Sequence, residues 1–428
     1  MNSRFKLVVV SSSTVVVVLL LLGAAMGRSA SPEDTYRHLQ VYTEVLSRIK
    51  SEYVEEPDIK NVTLGAMNGM LEALDPFASY LSVDQYKQYQ KNHDVKKANV
   101  GLMLSRTFGY VGVVNAVPGS SAAKAGLTTG DMLEAINGVA TRDMPLAYAE
   151  MLLAGDPGTS VEVSVLRVRK PEPQKVTLTR AVQKQPAATS RLLPDQIGLV
   201  QAPSLEGSKT KEIAALFDQL SKQGAKKYIL DLRYSATGKP EEGVALANLF
   251  LDNGMLTYLE GQKQKREEFR ADPARAAYKS QPLVVLMNRG TAGAAEIAAA
   301  ALLDNKRAEV VGERSYGDAG VRRAITMDDG SAVILSVAKY YSPSGKAIQD
   351  TGVTPTVMVS EIEPVVDTDD DSTPPPEPKK DEDPILKKAV EVLTKGKEGT
   401  SPAPAAAKPA TGPPSSEIPP LVDKNQKK

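Results

Sequence analysis

Three hydrophobic patterns divide this chain. The first is continuous: residues 7–26 carry no charge, and as a helix the run measures about 30 Å, enough to cross a bilayer. Arg4 and Lys6 precede it. The pattern predicts an uncleaved signal anchor over 1–28, holding the chain in the cell membrane by a single pass with its bulk on the extracytoplasmic, periplasmic or exported side. A cleaved signal peptide is the alternative, because Gly23-Ala24-Ala25 and Ser29-Ala30 offer small residues for cleavage. The second pattern is helical: Leu39, Val41, Val45, Leu46 and Ile49 recur at near-helical spacing over 34–50, and a second helix over 62–74 ends at Asp75-Pro76. Together they predict a helical segment over 34–94. The third pattern alternates with period two over 111–117 and 161–168, and Ile136-Asn137-Gly138 marks a hairpin between strands.

Beyond Gln183, strand and helix patterns alternate. Strands are predicted at 197–200, 227–233, 256–259 and 283–287, and helices at 208–223 and 241–251, with Ser208 suited to a helix N-cap and Gly224 to its end. Residues 260–279 are charged, without a motif, and read as solvated. This order predicts an α/β core over 181–362 within a multidomain α/β chain. At its centre the apolar run Leu283-Val284-Val285-Leu286-Met287 leads through a glycine turn into an alanine-rich helix ending near Asp304. Such a turn aims backbone N–H groups and a helix N-terminus at one point, a natural place for an oxyanion or a nucleophile. From 363 to 428 the composition shifts to Asp, Pro, Glu, Lys and Ala, which predicts a mostly disordered tail with at most a short helix over 385–393.

Composition narrows the chemistry. Lys+Arg and Asp+Glu are 52 each in 428 residues, so no basic excess points to nucleic acid. No cysteine is present, which removes thiol catalysis and Cys-type zinc sites, and there are only two histidines. Glu296, Asp304 and Asp318 read as scattered acids rather than a metal set, and no cofactor is expected.

The turn itself reads Gly290-Thr291-Ala292-Gly293-Ala294-Ala295-Glu296-Ile297. It resembles the nucleophile turn of the carboxyl-terminal processing (tail-specific) serine peptidases. The segment Gly312-Glu313-Arg314-Ser315-Tyr316-Gly317-Asp318-Ala319-Gly320-Val321-Arg322 matches their general-base segment without a gap, and 330–349 and 65–81 also follow the family. The resemblance spans roughly 36–395 and places the family's serine on Gly293, its lysine on Asp318 and its supporting glutamine on Arg322. All three side chains are replaced. Glycine has no oxygen to attack a carbonyl, and an aspartate cannot act as a desolvated neutral lysine does. Displaced nucleophiles, Thr291 or Ser315 with Asp318 or Glu296 as base, are the alternative. The resemblance also implies an oxyanion hole from the loop at Gly238 and the N–H of Ala294. In that loop Thr237 replaces one glycine of the family's pair, and Lys239-Pro240 replace small apolar residues.

Ala125-Gly126-Leu127, Gly130-Asp131-Met132-Leu133 and Ile136-Asn137-Gly138, in that order, resemble a PDZ domain over 95–180. Such a module implies peptide binding at Val100, Gly101, Leu102 and Leu104, by strand addition beside a carboxylate loop. That loop keeps only Gly101 of the family's glycines, so packing alone is the competing reading. The expected whole is a membrane-anchored pseudopeptidase that captures protein or peptide C-terminal tails, or regulates an active relative. A homodimer or a mixed dimer is implied by the amino-terminal likeness. An active endopeptidase is the alternative.

Overall fold

The computed structural model describes residues 32–93, 98–107, 109–167, 170–361 and 383–395. The predicted anchor over 1–28 and most of the predicted tail lie outside them. Among the described residues no helix is long and apolar enough to cross a membrane. The chain divides into two compact units, one ending at Leu71 and one running from Glu72.

The first unit carries helix α1 (Pro32–Glu52) and nearly all of α2 (Ile59–Glu72). Asp58 opens α2, its Oδ1 accepting the N–H groups of Lys60 and Asn61. Of the periodic apolar positions of α1, Leu39, Val41 and Val45 are exposed, as is Tyr36, while Leu46 and Ile49 are half-buried.

The second unit opens with strand β1 (Ser79–Leu81) and helix α3 (Val83–His93), then forms the PDZ-like sheet. Its strands are β2 (Leu102–Thr107), β3 (Tyr110–Ala116), β4 (Met132–Ile136), β5 (Val139–Ala140), β6 (Ser160–Arg167) and β7 (Lys170–Thr179), in the order β2-β3-β4-β6-β7 with β5 on β4. The predicted hairpin is present. Asn137 and Gly138 both take positive φ between β4 and β5, as a tight right-twisting turn requires. Short α4 (Ser121–Lys124) and α5 (Leu146–Leu153) complete the module.

The α/β core is built from β8 (Thr189–Leu193), β9 (Ile197–Gln201), α6 (Lys209–Lys222), β10 (Lys227–Asp231), α7 (Pro240–Asn248), β11 (Met255–Glu260), β12 (Glu267–Arg270), β13 (Leu283–Met287), α8 (Ala294–Asp304), β14 (Glu309–Gly312), β15 (Gly320–Thr326), β16 (Ala332–Tyr341), β17 (Val357–Met358) and α9 (Pro384–Lys395). One sheet runs β17-β14-β13-β10-β9-β8, parallel except for β8. On β13, Val285 and Met287 face α6, α7 and α8, whereas Val284 and Leu286 face α9, so both faces are dry and the strand is apolar throughout. A second sheet runs β1-β16-β11-β12, with β15 also on β16.

Three expectations are corrected. The stretch 260–279 is not merely solvated: β12 pairs with β11, and Tyr278 is buried, its hydroxyl donating to Asp218 Oδ1 at 2.6 Å and to the Ala214 carbonyl at 2.7 Å. The core does not end near 362, because Ile385 and Ala389 of α9 are fully buried against Ile197, Leu199 and Ile229. Its apolar residues lie on one helical face, and the α/β sheet is what that face meets. Ser208 occupies the N-cap position of α6 but does not cap. Its backbone is left-handed, and its side chain makes no bond to the helix.

Candidate active site

The glycine turn is held from behind. At the end of β13, Asn288 Oδ1 accepts the N–H of Gly290 and of Tyr234, each at 3.1 Å. Thr291 is fully buried; its Oγ1 donates to the Leu232 carbonyl at 2.9 Å and accepts the Asn288 N–H at 3.1 Å. The Thr291 hydroxyl is therefore part of the scaffold. Beyond it Gly293 takes φ 62° and ψ −120°, a conformation that favours glycine, and α8 begins with the next residue. A Cβ on Gly293 would meet only the Asp318 carbonyl oxygen, at 3.5 Å, within ordinary contact distance.

Glu296 ties this turn to the base segment. Its carboxylate is fully buried and accepts four donors: Gly293 N–H at 2.9 Å, Asp318 N–H at 2.8 Å, Gly317 N–H at 2.6 Å and Ser315 Oγ at 2.5 Å. Burial pushes the Glu296 carboxyl up to about 7, against the pull of those donors. Ser315 also accepts the Val353 N–H at 2.7 Å and is only 4% exposed, so its oxygen is spent on both sides. Neither displaced nucleophile stands free over a cleft.

At the position that the resemblance assigns to the base, Asp318 is paired to Arg322. Burial raises the Asp318 carboxyl above its ordinary range, Arg322 draws it back down, and Asp75 and Asp350 push in the same direction as burial. The Arg322 guanidinium lies 3.9 Å from the centre of the Phe77 ring. The structure thus brings Gly293, Asp318 and Arg322 together at one place, and what stands there is an ion pair rather than a hydroxyl and an amine.

The resemblance assigns an oxyanion hole to Gly238 and Ala294. Gly238 packs so closely on Leu205 that a Cβ would lie 2.7 Å from its carbonyl carbon. The N–H of Ala294, in the first turn of α8, donates to no acceptor among the described residues. The PDZ sheet leans on this region. Asn115 Nδ2 donates to the Tyr234 carbonyl at 2.6 Å, while Val114, Ala236 and Ala292 form one buried cluster with Met103 and Tyr316.

In the PDZ loop, Val100 and Leu104 are packed into the module's own core, and Leu102 lies against it. What they offer a peptide is main chain: β2 is an edge strand. Gly101 is held at φ +79° with a would-be Cβ 2.2 Å from Ser120 Cβ, and its N–H donates to Asn99 Oδ1 at 2.9 Å. The amide expected to hold a terminal carboxylate is already occupied.

Two features escaped the sequence reading. The sequence reads Glu296 as a base or a metal ligand, but an acid three residues after the helix-opening Gly293 is also half of a capping box. The second is a clip across the sheet end. Arg233 donates from its Nη2 to Asp231 and to Asp383, each at 2.8 Å, and Tyr234 donates to Glu361 at 2.5 Å. No local signal joins positions so far apart in the chain.

Comparison with known proteins places this arrangement. The family described as peptidase family S41 matches residues 196–359, and the PDZ domain matches residues 112–167. The carboxy-terminal processing protease CtpA of Bacillus subtilis is 33% identical over 314 residues, covering 72% of this chain and 66% of that protein. The carboxy-terminal-processing protease of Bartonella bacilliformis is 30% identical over 334 residues, covering 77% and 76%. Among solved structures, a photosystem II D1 C-terminal processing protease superposes with a TM-score of 0.61 at 28% identity, covering 75% of this chain and 92% of that one.

Proposed function

Because the chain belongs to the carboxyl-terminal processing proteases of peptidase family S41, we propose that it is a membrane-anchored pseudopeptidase of that family, which binds peptide tails or regulates a partner protease without cleaving. The observation that carries this reading is the Asp318–Arg322 pair beside Gly293. Acyl transfer by a serine–lysine mechanism needs an oxygen nucleophile and a neutral amine to take its proton, and both positions hold other chemistry. Loss of the nucleophile alone lowers turnover by roughly 10^4 to 10^6. The surrounding fold is complete, with a formed turn and an edge strand in the PDZ module, which suits binding.

The second reading, an active endopeptidase with a displaced nucleophile, draws on the Ser315–Glu296 contact at 2.5 Å. Against it, that hydroxyl also accepts the Val353 N–H and lies buried. A fluorophosphonate probe and unstructured apolar-tailed peptides separate the two. The pseudopeptidase reading expects neither labelling nor cleavage. Labelling of the native chain that Ser315→Ala or Thr291→Ala abolishes overturns it.

A further inference from the structure

A pocket of about 380 Å³ lies behind the base segment, lined by Glu72, Leu74, Asp75, Phe77, Tyr316 and Asp350, among others. Its size falls at the small end of ligand sites. Three of those residues are acids, and their partners differ. Glu72 is matched by Arg106 at 2.8 Å and Asp350 by Lys339 at 2.7 Å, while neighbouring Asp318 is matched by Arg322. Asp75 has no such cation. It is 6% exposed; its Oδ1 accepts the Phe77 N–H at 2.9 Å, and its Oδ2 is buried with no hydrogen-bond partner among the described residues. Counted by formal charge, the pocket's three acids and the two cations paired to them leave one negative charge in excess. A buried carboxylate oxygen without a donor is costly, which favours a ligand that brings one.

The walls say which kind. Leu74, Pro76, Phe77 and Tyr316 are apolar or aromatic and suit the methylene stem of a long side chain with a charged head, as lysine and arginine bury theirs. A multivalent metal ion is a poorer fit, since no group of three His, Cys, Asp or Glu among the described residues is arranged to hold one. We propose that this pocket receives the cationic side chain, ammonium or guanidinium, of a lysine or arginine in a captured peptide. The proposal rests on the peptide-binding reading above and names a preference within it. Tyr316 and Gly317 form one wall and immediately precede Asp318, so a peptide seated here lies against the base segment.

Two arms test it on the full-length protein. In the first, N-acetyl-arginine amide at millimolar concentration is expected to raise the melting temperature above that in sodium chloride of equal ionic strength, and Asp75→Asn is expected to abolish that rise. Asparagine keeps an oxygen for the Phe77 N–H. Should this variant fold poorly, Asp350→Asn, which frees the Lys339 charge near the pocket, is expected to abolish the rise as well. No rise with the native protein, or a rise unchanged in a folded variant, overturns the proposal. In the second arm, apolar-tailed peptides carrying one lysine are expected to bind about tenfold tighter than the same peptides with norleucine, a preference lost in Asp75→Asn. Equal binding of the two overturns the pocket and leaves peptide capture standing. If neither peptide binds, peptide capture itself falls, and with it the proposed preference.

Discussion

Gly293 and Asp318 are joined through a single oxygen: Glu296 Oε2 accepts the N–H of the first at 2.9 Å and of the second at 2.8 Å. A carboxylate that gathers four buried donors is a structural fastener first. Its removal leaves those donors without acceptors, at roughly 1–3 kcal/mol each.

That fastener titrates. Burial raises the Glu296 carboxyl from 4.5 to about 7, so the folded state holds its proton more tightly than the unfolded chain does. The contribution to stability is full below the unfolded value and is lost as pH rises through the folded one. Urea unfolding of the native protein and of Glu296→Gln, from pH 4 to 8, should therefore show their stability difference moving against the native chain between about 4.5 and about 7. A difference that stays flat across that window would mean that the four donors keep the group ionised throughout.

Gly293→Ser should fold. The new Cβ has only the Asp318 carbonyl within 4 Å, at 3.5 Å, and the cost is that of a non-glycine residue at φ 62°. That cost is about 1–3 kcal/mol in denaturant unfolding. The single variant should stay unlabelled by a fluorophosphonate, because Asp318 offers no amine. The triple variant with Asp318→Lys and Arg322→Gln should become labelled. A folded but unlabelled triple variant would show that restoring these three side chains is not enough to make the cleft reactive.

Much of this was legible in the sequence. The main helices and strands of the α/β core and the Asn137-Gly138 hairpin followed from local period and turn chemistry, and the conjunction of Gly293, Asp318 and Arg322 from the resemblance to the tail-specific peptidases. What was hidden depends on distant partners. The face of α9 that buries Ile385 is defined only by the sheet it meets, and the sequence around it, rich in proline and charge, reads as tail. Tyr278 sits among charged residues in sequence, yet its ring packs against Phe217, Tyr228 and Phe250, and Asp218 and Ala214, on α6, accept its hydroxyl. The Asn99 bond to Gly101 is local, but its meaning appears only once the loop is folded.

That bond gives a test of the PDZ loop. Asn99→Ala removes the acceptor that occupies the Gly101 N–H. If the loop still receives a terminal carboxylate, the variant should bind free-acid peptides roughly two- to tenfold tighter, as one net hydrogen bond allows. Amidated peptides should be unchanged. Fluorescence anisotropy with the two forms reads the difference directly, and an equal response from both would assign the loop to packing alone.

The carboxyl-terminal helix α9 belongs to the core in energetic terms as well. Ile385 is fully buried against strands β9, β10 and β13, and the sheet face beneath it, with Leu199, Val284 and Leu286, has no other cover of that kind among the described residues. Ile385→Ala should cost about 2–5 kcal/mol, the range for opening a cavity in a packed interior. Asp383→Asn should cost less. It weakens one of three carboxylates on Arg233 and leaves Asp231, at 2.8 Å, and Glu361, at 3.7 Å, to hold the guanidinium. Denaturant unfolding of both variants checks the order. If Ile385→Ala proves as mild as a surface change, α9 is a lid on the sheet rather than part of its core, and the α/β domain ends near residue 362 as its composition first implied.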